Sequence, residues 1–514
     1  MPYVSLKIPP GVSRNGTKYQ QKNRWYEANL VRWSEGVMQP IGGWTKLVDI
    51  TSDPISVTDP VRGLAGWRDN GQTGYLAMGT FDKAYAYASG VLTDITIAGL
   101  TTGAEDASSS AGAFGSGLFG IGNFGEGAGA AGTTPITEAN SWQFDNFGEE
   151  LIAVAYSDGR LLLWDLNVAT NLVLLDAGAP TGCKGVVVTP ERFVVGLGGT
   201  DYNAVSPADG RRATWCDQEN YGQWDPLAAG SDAGDFILPG AGALMCGARL
   251  RNETLLFSDV DVFAMRYIGG TLVYRFVPVG SNCGIISRRA FATVDGRAYW
   301  MGVRGFFMFD GFARPIFCDI ADDIFNDMNP MQVSKTAAWP NNAFHEIWFT
   351  YASADSTEVN KLVCLNYLEK HWSGPWDLVR TDGLDRSIYG SPVMADSEGG
   401  LYFHESGSAM LDEDDATDLA LTVSAESGPF EIGGGDQVMT IRRYIPDENT
   451  AGDVDMTLYA SLYPTEDEVS QVLTVGALTD ARLTGRQVRI AIGQSSTDWR
   501  FGHPRLEVVA RGRR

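Results

Sequence analysis

Residues 146–165 read NFGEELIAVAYSDGRLLLWD and contain the pattern that decides the fold. An apolar run at 151–155 is followed by the polar turn Ser157-Asp158-Gly159 and by a second apolar run ending in Trp164-Asp165. An Asp-Gly pair supplies the positive φ angles that tight hairpin turns need, and apolar runs of this length are typical of strands. The segment is therefore predicted to form a β-hairpin.

The same arrangement recurs through residues 60–410, with turns such as Asp69-Asn70-Gly71, Asp295-Gly296 and Ser397-Glu398-Gly399-Gly400. After a longer first interval, the turns lie roughly 30 to 60 residues apart, which is the size of one four-stranded propeller blade with its loops. The 61 glycines and 11% aromatic residues also favour many short strands and tight turns. We expect an all-β chain with a six- or seven-bladed β-propeller over residues 60–410.

The two ends of the chain have other patterns. Residues 1–46 are predicted to form an extended N-terminal arm, because Pro9-Pro10 fixes an extended backbone. Alternating segments at 438–444, 456–463, 487–492 and 505–509 predict a C-terminal β-sandwich-like domain over residues 424–514. Residues 319–329, DIADDIFNDMN, predict one short amphipathic helix.

A Gly/Phe-rich insertion at 101–134 interrupts the propeller region, and residues 111–132 read AGAFGSGLFGIGNFGEGAGAAG. Glycine this dense does not support a helix, so Phe114, Phe119 and Phe124 are predicted to project from a long channel or contact loop. A disordered linker is the alternative. The spacing GxGxxG occurs twice here, but without the strand and helix that a dinucleotide site requires.

Charge is unevenly distributed along the chain. The net charge is -24, with +5 in residues 1–46 and +4 in the last fifteen residues, which leaves -33 for the rest. Such an acidic body argues against wrapping a nucleic acid but does not exclude DNA as cargo, because a channel that lets DNA slide should repel phosphates. The basic, aromatic N-terminal stretch is a candidate assembly arm, comprising Arg24, Trp25, Tyr26, Arg32, Trp33 and Trp44. Arg511, Arg513 and Arg514 form either a C-terminal contact or a solubilising tail.

Residues with the spacing of catalytic or metal sites are scarce. Of the four histidines, His345 opens the stretch HEIWF, which starts like a zinc-protease helix but lacks the second histidine. The carboxylate pairs Asp322/Asp323 and Asp259/Asp261 are expected by chance in a chain with 63 acidic residues. We therefore predict no catalytic, cofactor-binding or metal-ligating residues, and expect that the chain is not an enzyme.

The six cysteines lie 30 to 46 residues apart without a CxxC pair, which favours buried, reduced thiols and synthesis in a cytoplasm. The sequence offers neither a signal-peptide pattern nor an apolar stretch of membrane-spanning length.

Both ends of the chain resemble a known family. The resemblance rests on Gly11-Val12, on the WYEANLVRW stretch at 25–33, on EGVMQPIGGW at 35–44, on the Gly-Phe insert, and on Trp499-Arg500-Phe501-Gly502 with the terminal RGRR. These segments are similar to those of the nozzle proteins of short-tailed bacteriophages, also called packaged-DNA stabilisation proteins or tail tubular protein B.

The resemblance implies a structural virion protein made in the host cytoplasm and located in the tail. It implies a homohexameric ring below the portal-adaptor ring that retains packaged DNA, conducts it at ejection as passing cargo, and docks tail fibres or a tail needle. Two other functions remain open: a propeller-type glycan-binding or glycan-cleaving tail protein, and a WD-like protein-interaction scaffold.

Overall fold

The computed structural model describes residues 3–48, 57–109, 136–385, 388–407, 409–411, 418–431, 437–464, 466–493 and 499–512. This part of the chain is all-β, as predicted, and contains one α-helix, α1 (Ala321–Asp327), within the predicted helical segment. Three short 3-10 helices lie at Tyr202–Ala204, Gly270–Leu272 and Val333–Lys335. The N-terminal arm contributes five strands: β1 (Tyr3–Ser5), β2 (Trp25–Asn29), β3 (Val31–Ser34), β4 (Val37–Pro40) and β5 (Trp44–Val48).

The described residues after the arm form six four-stranded antiparallel blades and three strands of a seventh, whose outer strand is β5 of the arm. Blade 1 comprises β6 (Leu64–Arg68), β7 (Gly74–Gly79), β8 (Ala84–Ala88) and β9 (Val91–Asp94); a two-stranded sheet of β10 (Ser108–Ser109) and β11 (Ile136–Thr137) follows. Blade 2 comprises β12 (Trp142–Phe147), β13 (Glu150–Ala155), β14 (Leu162–Trp164) and β15 (Val173–Leu174). Blade 3 comprises β16 (Gly185–Val188), β17 (Val194–Leu197), β18 (Arg212–Trp215) and β19 (Gly234–Ile237).

Blade 4 comprises β20 (Leu244–Arg249), β21 (Thr254–Ser258), β22 (Val262–Tyr267) and β23 (Tyr274–Gly280). Blade 5 comprises β24 (Phe291–Val294), β25 (Arg297–Gly302), β26 (Gly305–Phe309) and β27 (Ala313–Ile316). Blade 6 comprises β28 (Ala338–Asn341), β29 (Glu346–Tyr351), β30 (Lys361–Asn366) and β31 (His371–Asp377). Blade 7 contributes β32 (Asp382–Leu384), β33 (Val393–Ala395) and β34 (Leu401–His404).

The first strand of each blade lies innermost, and these strands line a ring. Strand β6 contacts both β12 of blade 2 and β32 of blade 7, so the first and last blades are neighbours. The hairpin quoted from the sequence becomes β13 and β14, and the turn before it has Gly148 at a φ of 69°. The six- or seven-bladed propeller predicted from the sequence therefore has seven blades in the described part of the chain.

Blade 7 is completed by a strand from the other end of the chain. Strand β5 pairs antiparallel with β34, with His404 opposite Trp44 and Leu401 opposite Val48. Strand β35 (Ala409–Leu411) lies beside β5 and pairs with β36 (Asp418–Ala420). A chain that borrows its last outer strand from its N-terminus closes the ring by hydrogen bonds between segments about 350 residues apart in sequence.

Two further sheets form a β-sandwich that contains strands from both ends of the chain. The C-terminal strands are β37 (Ser424–Ser427), β38 (Phe430–Glu431), β39 (Met439–Ile445), β40 (Asp455–Ser461), β41 (Val469–Thr474), β42 (Thr479–Gly485), β43 (Gln487–Gly493) and β44 (Arg505–Ala510). One sheet has the order β1-β44-β39-β42 and the other β2-β37-β43-β40-β41, with β38 beside β43. Because the arm supplies β1 and β2 to the sandwich and β5 to blade 7, it joins the two parts.

Candidate functional site

Arg32 of β3 lies at the joint where the arm meets blades 6 and 7. Its side chain is 1% exposed, and its Nε and Nη2 donate hydrogen bonds to the two carboxylate oxygens of Glu346, each 3.0 Å long. Its Nη1 and Nη2 donate to Glu405 over 2.8 and 2.5 Å. Glu346 is the first residue of β29 and Glu405 follows β34. One guanidinium therefore binds two carboxylates from neighbouring blades in the bidentate geometry that arginine provides.

The neighbours of these three residues satisfy the remaining polar atoms. Trp348 Nε1 donates to Glu346 over 2.9 Å, and Asn341 Nδ2 and the backbone N–H of Gly42 both donate to Glu405 over 3.0 Å. The ring of Phe344 lies 3.7 Å from the guanidinium carbon of Arg32. We call Arg32, Glu346, Glu405 and these four neighbours the Arg32 cluster.

The charges of the cluster do not cancel, because two carboxyl groups face one guanidinium. Burial alone would lower the pKa of Arg32, but Glu346 and Glu405 hold that pKa above its ordinary value. Burial raises the pKa of Glu346 in spite of the guanidinium. For Glu405 the effect of burial is outweighed by Arg32 and by the hydrogen bonds that it accepts, so its pKa lies below the ordinary value. Arg32 is thus the cation that both carboxyl groups share.

The aromatic residues of the candidate assembly arm pack inside their own chain. Trp25 is buried between Trp33, with ring centroids 6.2 Å apart, and Phe501 of the sandwich, 5.7 Å away. Trp44 stacks on His404 of blade 7 at 5.1 Å. These residues hold the arm against the ring and the sandwich.

Two other predicted arm residues also contact their own chain. Arg24 donates a hydrogen bond to Asp319 over 3.1 Å, next to α1. Tyr26 is partly buried and has Arg14 and Lys18 over its ring at 5.5 and 5.7 Å. A contact of these residues with a second copy stays a prediction, and the interactions that they make here are internal.

The remaining predicted contact residues lie largely outside the described part. Phe114, Phe119 and Phe124 of the Gly/Phe-rich loop, and Arg513 and Arg514, are outside the described residues. Arg511 follows β44 and is exposed. Its backbone N–H donates to the carbonyl oxygen of Val438.

A central cavity lies inside the ring of innermost strands and has a volume of about 460 Å³. Its wall carries three pairs of opposite charge: Arg249 with Asp145 at 3.5 Å, Arg288 with Glu138 beside the wall, and Arg289 with Asp382. A sphere of that volume would be about 10 Å across, narrower than the major groove of B-DNA alone, about 12 Å. A cavity of this size does not accommodate a DNA duplex.

Side chains with the chemistry of active sites mostly hold turns and joints. His371 and His404 are buried, and His404 Nε2 accepts a hydrogen bond from Arg380 over 2.8 Å. Burial and the neighbouring arginines depress the pKa of both rings, that of His371 to about 4. Asp259 and Asp261 accept hydrogen bonds from backbone N–H groups, and Asp323 pairs with Arg14 at 3.3 Å.

The described residues contain no group of three or more His, Cys, Asp or Glu side chains placed to hold a metal ion. All six cysteines are buried, as predicted. No described helix has both the length and the apolar composition to cross a bilayer.

Sequence reasoning missed the two glutamates that organise the joint. In the sequence Glu346 stands out only as the neighbour of His345, and Glu405 does not stand out at all. Both lie at the ends of apolar strands, before Ile347-Trp348-Phe349 and after Leu401-Tyr402-Phe403. A carboxylate at the end of a strand is ordinarily solvated. The sequence does not show that a buried arginine lies beside these two glutamates, so it does not predict the joint.

Comparisons with known proteins found distant structural likenesses and no match that bears on function. No family model matches the chain, and no curated protein matches it. Among solved structures, it is similar to the Pan2 WD40 domain of Neurospora crassa, with 9% identity, 76% of this chain and 99% of that chain covered, and a TM-score of 0.37. It is also similar to Hsv2p of Kluyveromyces lactis, with 9% identity, 72% and 93% covered, and a TM-score of 0.31.

A glycoside hydrolase matches at 10% identity, with 88% and 98% covered and a TM-score of 0.27. Likenesses this distant carry no argument about activity or partners. The sheet order itself makes the chain an all-β propeller protein with an attached β-sandwich.

Proposed function

We propose that the chain is a structural subunit of a short-tailed bacteriophage tail, one of six copies forming a nozzle ring that retains and conducts packaged DNA. In this role it is not an enzyme, and it contacts the portal-adaptor ring on one side and tail fibres or a tail needle on the other. The N-terminal and C-terminal segments resemble those of the nozzle proteins of short-tailed bacteriophages, and this resemblance suggests the family.

The observation that carries the proposal is the Arg32 cluster. It fastens the arm, blade 6 and blade 7 to one another through buried ion pairs, and the same arm continues into the sandwich. Removing one partner from a buried ion pair is strongly unfavourable, so the arm is held firmly to both blades. A subunit that bears the load of a packed genome needs this property.

Charge and dimensions support the same proposal. The central cavity is too small to hold a duplex, so a conduit would have to lie between copies, around an axis outside any one chain. Most of the chain is strongly acidic, and an acidic wall repels phosphates and lets DNA slide. The acidic surfaces facing the axis would need cations or basic neighbours to come together.

Electron-microscope class averages of the purified full chain, alone and mixed with portal-adaptor complexes, test the proposal. We expect rings whose central opening admits a duplex, seated on the adaptor. A chain that stays monomeric in both samples contradicts the proposal. Hydrolysis of host polysaccharide by the purified chain, abolished by replacing a carboxylate of the central cavity, would favour the glycan-cleaving alternative.

One surface feature favours a WD-like interaction scaffold as the second candidate. Phe312 and Phe317 flank β27, the outermost strand of blade 5, and are 75% and 80% exposed. Exposed rings at a blade edge are typical of protein contacts. A scaffold would be monomeric and would lose a cellular partner on the double substitution Phe312→Ser/Phe317→Ser. A nozzle with the same substitution would still form rings.

A further inference from the structure

The β-sandwich has two outer sides that lie opposite each other and differ in their exposed residues. Strand β1 is one end of the four-stranded sheet and β42 is the other. Strand β41, the end of the second sheet, lies against β42, where Gln471 Nε2 donates to the carbonyl oxygen of Asp480 over 3.1 Å. The β1 side and the β41 side therefore face in opposite directions.

The β1 side is basic and has an unpaired strand edge. Within the described residues β1 is hydrogen-bonded to β44 alone, with Ser5 opposite Arg505. Lys7 and Arg505 are exposed there, neither makes an ion pair with a described residue, and Tyr3 is 62% exposed. We call Tyr3, Lys7 and Arg505 the basic edge.

The β41 side is apolar and carries two acidic residues, unpaired among the described residues, just before the strand. Val469 and Val472 of β41 are each 59% exposed, and Leu478 in the turn before β42 is 63% exposed. Glu466 and Asp467, just before β41, are exposed and make no ion pair with a described residue. We call these five residues the acidic side. Exposed apolar residues on an outer strand are unusual, because charged side chains ordinarily protect such strands.

We propose that the basic edge of one copy docks on the acidic side of the next copy of this chain. Opposite unpaired charges meet across the contact, the exposed valines are covered, and the open backbone edge of β1 gains hydrogen-bond partners. Because the two surfaces lie on opposite sides of one domain, each copy uses both, and the contact repeats head to tail. Such a heterologous interface generates a closed ring when its rotation closes and a filament when it does not.

The inference rests on the proposed function, because it names the contact that would build the nozzle ring. Two double variants of the full chain test it: Lys7→Glu/Arg505→Glu makes both surfaces acidic, and Glu466→Lys/Asp467→Lys makes both basic. We expect each variant alone to associate at least about tenfold more weakly than the unchanged chain, because like charges then face each other. Mixed in equal amounts, the two should assemble alternately. Light scattering after size-exclusion chromatography and electron microscopy provide the readout.

A single substitution with a matched control tests the apolar part of the contact. Val472→Lys places a cation against the basic edge and should weaken assembly. Val91→Lys on the outer strand of blade 1, where the valine is also 59% exposed, should not. Circular dichroism and thermal unfolding verify that all variants fold, as expected for exposed positions.

The outcomes separate the two proposals. Double variants that assemble weakly alone and recover assembly when mixed support the proposed docking surface. If the unchanged chain forms rings and all of these variants do so equally well, the docking surface is wrong and the nozzle proposal stands. An unchanged chain that forms no ring, alone or with portal-adaptor complexes, overturns both.

Discussion

The ion pairs of Arg32 at the joint and of Arg249 in the central cavity are of the same kind but lie in opposite surroundings. At the joint, Arg32 is 1% exposed and reaches two carboxylates with four hydrogen bonds no longer than 3.0 Å. In the cavity, the Arg249 side chain is 46% exposed and its nearest contact with Asp145 is 3.5 Å. Water screens the second pair and not the first. Stability should therefore depend strongly on Arg32 and hardly at all on Arg249.

The largest expected effect is at the joint. Arg32→Met leaves two buried carboxyl groups without their cation and should lower the free energy of unfolding by about 3–5 kcal/mol. Chemical denaturation with guanidinium chloride measures it. The double variant Arg32→Met/Glu405→Gln should recover part of the loss, since the uncompensated charge is removed. A single variant as stable as the unchanged chain would contradict the comparison.

A second prediction concerns the pH dependence of the joint. Burial and Arg24 lower the pKa of His371 to about 4, although Glu369 lies 3.7 Å away. Between about pH 6.5 and 4 the unfolded chain therefore binds a proton at this histidine that the folded chain does not. Stability should fall as the pH falls through this window, by up to about 3 kcal/mol from this residue.

Urea unfolding curves recorded from pH 7 to pH 4.5 measure the contribution of His371. The variant His371→Gln should flatten this dependence, whereas His345→Gln, at an exposed ring, should leave it unchanged. Equal slopes in the unchanged chain and in His371→Gln would show that the ring titrates normally.

The third prediction tests how closely the arm approaches blade 6. Gly11 has a φ of +89°, and a Cβ built on it would lie 2.7 Å from the Cβ of His371. Gly90 has nearly the same φ, +83°, but nothing within 4 Å. Gly11→Ala should therefore destabilise the chain by about 1–3 kcal/mol more than Gly90→Ala, the difference being the steric clash. Thermal unfolding of the two variants gives the comparison.

The smallest effect is expected in the cavity. Arg249→Met removes a screened pair and should change the free energy of unfolding by less than about 1 kcal/mol. The small change should itself shrink when the salt concentration is raised. A loss of unfolding free energy comparable with that of Arg32→Met would mean that water does not screen the Arg249–Asp145 pair.

Local patterns were sufficient to predict the propeller and the sandwich. The turn at Ser157-Asp158-Gly159 and its flanking apolar runs specify a hairpin without reference to the rest of the chain, and the spacing of such turns gave six or seven blades. The joint could not be predicted in this way. Nothing near Trp44 indicates that its strand pairs with residues 401–404, and nothing near Glu405 indicates a buried arginine partner. Pairings between distant segments leave no local signal, and an isolated charged residue is normally solvated.

The arm was predicted to be extended, and its strands are. Its basic and aromatic composition suggested a contact with neighbouring copies, because Arg32 and the tryptophans look exposed in a segment without a core of its own. In the structure these side chains complete the core of their own chain. The composition of such a segment shows that it packs against something, but not which chain provides the surface.

Borrowing strands from the N-terminus has a consequence during protein synthesis. Strand β5 leaves the ribosome early, and its partner β34 is made about 350 residues later, which corresponds to roughly 20 to 70 s at ordinary translation rates. Strands β1 and β2 wait longer, until the sandwich strands up to β44 exist. A nascent chain interrupted before β34 has neither a closed ring nor a complete sandwich, and one interrupted between β34 and β44 still lacks a complete sandwich. Only finished subunits therefore reach the native fold, and incomplete ones remain open to proteolysis.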